Sequence, residues 1–229
     1  MYSPPVNTVP KPGTDTLHLM VDHSSGKFGL NMMIAPEDIS GIHMDGIRTL
    51  GASILQHHAH HHGMRLIIFK SDVSAAYQQL PIHPFFQIIQ IITVNGQQYV
   101  DRNNNFSGRA SQILWQLFML VVMWILVFQQ GLWALKCYVD DVFSIVRAGD
   151  LCWYPPYAKA MPTAQVCVLE LWDKIQLPHV EKQQISGAVI PVLGFEVDPN
   201  WMSAYLSFEK HELLVECAGN LLHRMSKPL

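Results

Sequence analysis

The sequence contains little charge and little cysteine. Charged residues make up 14% of the 229 positions, and 15 Lys and Arg against 18 Asp and Glu give a net charge of −3. This balance argues against a uniformly basic surface, so any contact with nucleic acid must be local. The cysteines have neither CxxC pairing nor zinc-knuckle spacing, which favours reduced core residues over a disulfide or zinc scaffold. They are Cys137, Cys152, Cys167 and Cys217.

A secretory signal and internal repeats are also missing. The N-terminus reads Met1-Tyr2-Ser3-Pro4-Pro5 and has neither a basic start nor an apolar stretch, which predicts an intracellular protein of the cytoplasm or nucleus. No long linker is evident, and a chain with 49% hydrophobic residues can bury a substantial core as a single compact unit within which subdomains can be visible.

Two adjacent carboxylates, Asp140 and Asp141, stand inside an apolar, strand-forming segment that reads LKCYVDDVFSIV from 135 to 146. Strand residues alternate between faces, so two acids within one buried strand would leave an unpaired buried charge, which is costly. The pattern therefore predicts two strands, 135–139 and 142–146, joined by a turn that carries both acids. Such a turn is either an ordinary solvated acidic turn or a site for hard cations.

A third acid, Asp72, ends the β-branched and apolar run that begins at Leu66. An aspartate that leaves a strand is a common helix N-cap, worth about 1 kcal/mol. Together with Asp140 and Asp141, it can instead complete a site for two metal ions about 3.5 to 4 Å apart. Phosphoryl transfer is the chemistry that uses such a site.

These segments resemble the reverse transcriptase family. YVDD at 138–141 is similar to the family's metal-binding hairpin, and SDVSAAY at 71–77 is similar to the segment with its first catalytic aspartate. NNNFSGRAS at 103–111 resembles the segment that packs on the incoming nucleotide and the template. LGFEVDPNWM at 193–202 resembles the primer-grip hairpin. In wording, these blocks most resemble DIRS-type and related long-terminal-repeat retroelements.

The resemblance implies an RNA-directed DNA polymerase that copies an RNA or DNA template. Asp72, Asp140 and Asp141 would be catalytic and would hold two Mg²⁺ ions, or Mn²⁺ in their place. Lys182 resembles the position from which the family donates a proton to the departing pyrophosphate. The implied partners are a template-primer, deoxynucleoside triphosphates and other domains of a retroelement polyprotein, with no membrane.

The resemblance also implies residues that bind the nucleotide and the primer. Tyr77 matches the steric gate against the ribose 2′-hydroxyl, although an ordinary core tyrosine is the alternative. Arg109 can fork onto phosphate oxygens or stack on bases, while Lys11 and Lys70 could equally be solvated lysines. The nucleotide-binding candidates are Tyr77, Lys11, Lys70, Arg109, Phe106 and Gly108, and the primer-grip candidates are Leu193, Gly194 and Phe195.

One departure from the family pattern bears on activity. The family usually has two glycines after the phenylalanine, but here Ser107 follows Phe106 and adds bulk where backbone should approach the ligand. The three carboxylates are intact, which favours an enzyme. The alternative is a catalytically decayed or domesticated relative that only binds nucleic acid or a protein.

Two further segments invite other interpretations. Leu117 to Phe128 is an uninterrupted apolar run, but about 20 residues are needed to span a bilayer, so it predicts a buried core helix. A membrane span and an aggregation-prone segment are the alternatives.

The five histidines between His57 and His62 indicate a biased surface patch with adventitious metal affinity rather than a zinc site.

The predicted elements give an α+β fold, a polymerase palm with an antiparallel sheet backed by helices, plus fingers and the beginning of a thumb. Residues 1–198 are expected to form interleaved fingers and palm, with fingers mainly at 1–65 and 81–110. Residues 199–229 would complete the primer-grip hairpin and start the thumb. Strands are predicted within 9–21, at 66–72, at 88–94 and 97–100 around Asn95-Gly96, and at 189–197 and 204–208; helices are predicted from 36, within 41–62, from 111, at 163–175 and at 209–225.

Overall fold

A computed structural model describes residues 3–10, 17–41, 43–60 and 62–225. The chain forms two compact units, and their segments alternate along the sequence. Unit 1 comprises Met1–Met44, Val73–Gly131 and Leu171–Val180, and unit 2 comprises Asp45–Asp72, Leu132–Glu170 and Glu181–Leu229. The predicted limits of fingers, palm and thumb stay a prediction.

Helices and antiparallel strands are mixed along the chain, which confirms the α+β class. The strands are β1 Val6–Pro10, β2 Leu17–Val21, β3 Leu66–Asp72, β4 Ile91–Val94, β5 Gln97–Val100, β6 Lys136–Tyr138, β7 Asp141–Arg147, β8 Leu151–Tyr154, β9 Lys159–Pro162, β10 Ile185–Gly187, β11 Ile190–Val192, β12 Phe195–Asp198 and β13 Ser203–Tyr205. The helices are α1 Ile47–His60, α2 Pro84–Gln87, α3 Ser111–Trp124, α4 Thr163–Lys174 and α5 Phe208–Met225. Short 3₁₀ turns lie at Leu30–Met33, Pro36–Ile39, Ala76–Gln79, Pro155–Tyr157 and Glu181–Gln183, and a π turn at Ile125–Gln129 continues α3.

Unit 2 is built on an antiparallel sheet in which β3 and β7 are the two central strands, in the order β10-β3-β7-β6. Apolar side chains from one face of this sheet pack with α1 and with the hairpin β11–β12. This cluster contains Leu50, Ile54, Leu66, Ile68, Phe143, Ile145, Ile190, Val192 and Val197. Burying each aliphatic side chain stabilises the fold by about 1.5 to 3 kcal/mol, so the cluster fixes the central strands in place.

The opposite face of the sheet is covered through Gln165, which lies in α4 and is fully buried. Its Nε2 donates to Ser71 Oγ at 3.1 Å and to the Lys70 carbonyl at 3.2 Å. A buried amide must find such partners, because an unmade hydrogen bond costs about 1 to 3 kcal/mol. The C-terminal end of β3 is therefore held by α4 on this face.

Unit 1 contains the hairpins β1–β2 and β4–β5. Asn95 and Gly96 join β4 to β5 with φ of 51° and 76°, the pattern of a type I′ turn, as the Asn-Gly pair predicted. The predicted turn that contains Lys11 lies outside the described residues, although the strands on either side of it are paired.

Helix α3 is buried on one face only. Trp115, Met119, Val122 and Leu126 follow a helical spacing and are buried. The other face exposes Leu114, Leu117, Leu120, Val121, Trp124 and Phe128. From Ser111 to Gln129 the helix is long and apolar enough to cross a membrane, by length and composition alone. The prediction of a buried core helix thus fits one of its faces.

Several predicted elements have different limits in the structure. The helix predicted within 41–62 begins at Ile47, and the segment from Pro36 forms a single 3₁₀ turn. The strands β8, β9 and β10 were not predicted. Cys137 is buried as expected, whereas Cys217 is exposed rather than a core residue.

Candidate active site

The two adjacent aspartates lie where β6 turns into β7. Tyr138 pairs with Asp141, so the turn consists of Val139 and Asp140 only. The prediction that both acids belong to the turn was wrong for Asp141, which is the first residue of β7. Val139 has a φ of 56°, and a positive φ at the first central residue is the pattern of a type II′ turn.

The sheet register brings Asp72 to this turn. Asp72 is the last residue of β3 and lies directly opposite Asp141 of β7. Side chains of directly opposed residues point to the same face, with Cβ atoms about 4.5 to 5.5 Å apart. Asp72 thus meets Asp140 and Asp141, which come much later in the sequence, at one end of the sheet in unit 2.

Two of these acids, Asp72 and Asp140, lie where their charged forms are disfavoured. The pKa of Asp72 is raised to about 6, first by burial and then by the neighbouring Asp140 and Asp141, while Lys70 and the hydrogen bond from Gln183 act in the opposite direction. Burial also raises the pKa of Asp140, and the negative charge of Asp141 raises it as well. Carboxylates that stay charged under these conditions attract a cation.

Lys70 already supplies one positive charge to the cluster. It lies two residues before Asp72 and therefore on the same face of β3. Its Nζ is 3.0 Å from Asp141 Oδ1 and 3.2 Å from Asp141 Oδ2. Lys70, predicted from the sequence as a nucleotide-binding residue, is thus engaged with a predicted catalytic acid.

Two glutamines that the sequence did not single out hold Asp72. Gln183 Nε2 donates to Asp72 Oδ2 at 2.6 Å, and Gln184 Nε2 donates to the Asp72 carbonyl at 3.0 Å. Asp72 Oδ1 is buried and has no hydrogen-bond partner among the described residues. No motif marks these glutamines, because their role depends on where the turn before β10 lies relative to β3.

Lys182, the predicted proton donor, is in the same 3₁₀ turn as Gln183 and is exposed.

A further acid that the sequence did not single out, Asp45, holds strand β6 through two hydrogen bonds. The Cys137 amide donates to Asp45 Oδ2 at 3.0 Å, and the Asp45 amide donates to the Cys137 carbonyl at 3.2 Å. These bonds hold the edge strand that leads into the acidic turn.

The donor set suits a hard cation only in part. Within the described ranges, no three His, Cys, Asp or Glu side chains are already arranged to hold a metal ion. Carboxylate oxygens are nevertheless the ligands that Mg²⁺ prefers, and the unpartnered Oδ1 of Asp72 is free to accept one. Asp141 would have to exchange the Lys70 ammonium for the metal.

The histidine patch shows other contacts. His57 is buried and stacks on Trp133 with ring centroids 4.9 Å apart, while a ring nitrogen of His58 lies 2.7 Å from the Pro199 carbonyl. His61 lies outside the described residues.

The predicted nucleotide-binding residues other than Lys11 and Lys70 lie in unit 1. The Tyr77 ring is half-buried, 5.3 Å from the ring of Phe106 and 6.4 Å from that of Trp115. Phe106 is 70% exposed. Arg109 is exposed, and its guanidinium donates to the Ile34 carbonyl at 2.9 Å. Lys11 lies outside the described residues.

The loop around Gly108 is tightly bonded. A Cβ at Gly108 would collide with Ser111 Oγ, so a larger residue there would force Ser111 to move. Asn31 joins this loop by donating to the Ser107 carbonyl at 2.9 Å and accepting from the Arg109 amide at 2.6 Å. The Ser107 hydroxyl, which we expected to add bulk, donates to the Val21 carbonyl and is thus engaged within unit 1.

The predicted primer-grip residues form the turn between β11 and β12 in unit 2. Leu193 and Gly194 have φ of 50° and 87°, again the pattern of a type I′ turn. Leu193 and Phe195 pack against the apolar cluster, and Lys210 Nζ donates to the Gly194 carbonyl at 3.0 Å. The turn is therefore anchored to the same core as the acidic hairpin.

Solved structures with a similar fold include foamy viral protease-reverse transcriptases. One, in complex with double-stranded DNA and described as dRH, has a TM-score of 0.61 and 17% identity, covering 90% of this chain and 31% of that chain. Another, in complex with an RNA/DNA hybrid, has a TM-score of 0.61 and 16% identity. It covers 90% of this chain and 24% of that chain. The fold is that of a reverse transcriptase.

This reverse-transcriptase-like fold is shown by structure and not by sequence. No protein-family model matches the chain, and no curated protein sequence matches it. The chain spans about a quarter to a third of the length of the two foamy viral proteins.

Proposed function

We propose that this chain is the reverse transcriptase core of a retroelement, most like the DIRS-type and related long-terminal-repeat elements. It would synthesise DNA on an RNA or DNA template by two-metal nucleotidyl transfer. The observation that carries the proposal is the register of β3 and β7, which puts Asp72 opposite Asp141 and beside the turn with Asp140. We place this activity inside the cell, in cytoplasm or nucleus, and away from a membrane.

In this proposal, Asp72 and Asp140 hold the cations, and Asp141 joins them once Lys70 leaves it. Two bound Mg²⁺ ions, or Mn²⁺, would favour the primer 3′-alkoxide and neutralise charge on the triphosphate. Gln183 keeps the Asp72 carboxylate in place, and the exposed Lys182 is available to give a proton to pyrophosphate. Most of the contribution of the protein is positioning.

The nucleotide and primer contacts follow from the remaining predicted residues. The ring of Tyr77, supported by Phe106 and Trp115, would exclude a ribose 2′-hydroxyl. Gly108 would admit close approach of the ligand, Arg109 and Lys11 would meet phosphates, and Leu193, Gly194 and Phe195 would contact the primer. The foamy viral relatives in complex with double-stranded DNA and with an RNA/DNA hybrid support a template-primer as partner.

Primer extension tests the proposal. The full chain should extend a DNA primer on an RNA template in the presence of Mg²⁺ and deoxynucleoside triphosphates. Asp140→Asn should lower the rate by about a thousandfold or more, because it removes a carboxylate of the metal site. Asp38→Asn is the matched control, since Asp38 is an exposed aspartate in the turn Pro36–Ile39 of unit 1, and it should retain the wild-type rate. Extension that survives Asp140→Asn would contradict the assignment.

A second candidate is a relative that binds nucleic acid or a protein without catalysis. The ion pair between Lys70 and Asp141 favours it, because the pair occupies one of the three acids. This candidate predicts binding of a primer-template duplex with no extension at any Mg²⁺ or Mn²⁺ concentration, and with the same affinity in Asp140→Asn. Other domains of a polyprotein would then be the partners of interest.

A further inference from the structure

The Asp72 carboxylate is engaged through one of its two oxygens. Oδ2 accepts the hydrogen bond of Gln183 at 2.6 Å, whereas Oδ1 is buried and has no partner among the described residues. A carboxylate held in this way offers one oxygen, and not two, to an incoming cation. Because Gln183 engages Oδ2, a cation can bind Asp72 only through Oδ1.

The position of Gln183 is fixed by the sheet. The 3₁₀ turn Glu181–Gln183 leads directly into β10, where Ile185 pairs with Lys70 of β3. Gln184, between them, is buried and donates to the Asp72 carbonyl. Because the two residues that follow it are anchored to β3, the Gln183 amide is preorganised and loses little freedom when it holds the carboxylate.

Mg²⁺ and Ca²⁺ make different demands on a carboxylate. Mg²⁺ is small, requires near-ideal octahedral geometry and takes its protein ligands one oxygen at a time while keeping several waters. Ca²⁺ accepts six to eight oxygens in flexible geometry and tolerates a carboxylate that binds through both oxygens. A residue that keeps one carboxylate oxygen from the cation therefore lowers the affinity for Ca²⁺ more than the affinity for Mg²⁺.

We propose that Gln183 determines the cation selectivity of this site by keeping Asp72 a one-oxygen ligand, which favours Mg²⁺ over Ca²⁺. This inference rests on the proposed function, because it assigns a role within the same metal site. Gln183 is a positioning residue in this scheme, since it acts through Asp72. Hydrogen-bonded partners of metal ligands commonly tune affinity by about 10 to 100-fold.

Competition for terbium tests the inference on the full chain without any activity measurement. Tb³⁺ luminescence is excited through protein tyrosines, and Tyr138 lies two residues before Asp140. Displacement by Mg²⁺ and by Ca²⁺ gives two dissociation constants for wild type and for Gln183→Met, which keeps the side-chain length but removes the donor. We expect the Mg²⁺ constant to rise about tenfold and the Ca²⁺ constant to change less than about threefold.

The ratio of the two constants separates positioning from simple loosening of the structure. A structural defect weakens both cations alike, so an unchanged ratio in Gln183→Met would overturn the inference. Gln184→Met is the matched control, because Gln184 bonds to the backbone of Asp72 and not to its carboxylate. It should keep the wild-type ratio, and a shift equal to that of Gln183→Met would also overturn the inference. If Gln184→Met fails to fold by circular dichroism, the ratio in Gln183→Met decides alone.

Wild type and Asp72→Asn show whether the proposed function itself is at fault. A wild-type Tb³⁺ site that Mg²⁺ displaces and that Asp72→Asn loses supports the metal site. With that site present, an unchanged ratio in Gln183→Met removes only the selectivity role. Without it, the two-metal proposal and the selectivity role fall together.

Discussion

Asp72 is a single residue whose charged form the folded protein disfavours. Its pKa is raised to about 6, chiefly by burial and then by Asp140 and Asp141. An unfolded chain has no such neighbours, and there the pKa returns to the ordinary value of 3.8. The fold thus carries a cost that a bound cation would relieve, as is common where function opposes stability.

This difference predicts how stability depends on pH when divalent cations are absent. Between pH 4 and 6 the folded protein binds a proton that the unfolded chain has released, so stability falls as the pH rises through this window. Asp72→Asn should reduce this dependence, leaving the smaller part that comes from Asp140, and should raise the free energy of unfolding at pH 7.5 by about 1 to 2 kcal/mol, allowing for partial exposure. Urea unfolding in EDTA at pH 4, 6 and 7.5 measures it. Equal stabilities of wild type and variant at pH 7.5 would contradict the prediction.

At the same scale, the sequence predicts the acids but not the residues that control them. Asp72, Asp140 and Asp141 belong to short motifs, so their positions could be found before the fold was known. Gln183, Gln184 and Asp45 lie in no motif, and their contacts arise only from strand pairing and loop placement. The contact between Lys70 and Asp141 likewise requires the register of β3 against β7.

Among the elements, the β6–β7 turn places a branched residue in an unfavourable conformation. Val139 has a φ of 56°, at the turn position where a type II′ turn normally has glycine. A left-handed conformation costs a residue with a Cβ roughly 1 to 2 kcal/mol. The strands on either side and the Asp45 bonds to Cys137 hold the turn against this strain.

Val139→Gly should therefore stabilise the protein. We expect the free energy of unfolding to rise by about 0.5 to 1 kcal/mol, because relief of the strain exceeds the added entropy of the unfolded glycine. Thermal and urea unfolding measure the change. Val94→Gly is the matched control, since Val94 is a strand residue without a positive φ, and it should destabilise. A loss of stability in Val139→Gly would show that the valine side chain matters more than its backbone strain.

Element types were predicted better than element limits. The central strand 66–72, the Asn95-Gly96 hairpin and the helix from Ser111 follow directly from apolar patterns and turn chemistry. The hairpin β8–β9 was not predicted, and its two strands have only four residues each, which is too short for a clear alternating pattern. Strand β10 has only three residues, too few for a periodic pattern, and it exists because β3 offers it an edge.

For the molecule as a whole, the uncovered face of α3 is the most unusual surface feature. Leu117 and Val121 are one turn apart and are 52% and 60% exposed, and Leu114, Trp124 and Phe128 extend this exposed stripe at helical spacing. Soluble monomers rarely expose a continuous apolar patch of this kind. The sequence could not predict which face of so uniformly apolar a helix would be buried.

Replacing two residues of this face tests whether it is exposed. Leu117→Glu with Val121→Lys should leave the free energy of unfolding within about 0.5 kcal/mol, since surface changes cost little and the new pair is favourable at this spacing. The variant should also show less concentration-dependent association in light scattering. Met119→Lys, on the buried face of the same helix, is the control and should prevent stable folding. Severe destabilisation by the first variant would show that the face is covered.

The order of strands in the unit 2 sheet also constrains how the protein is made. Strand β3 leaves the ribosome early, yet its two neighbours are β7 and β10, which are synthesised much later. At about 5 to 20 residues per second, the apolar residues Ile67, Ile68 and Phe69 must wait several seconds for a partner. The nascent chain therefore offers a hydrophobic segment to chaperones during translation, and yields from heterologous expression should depend on chaperone supply.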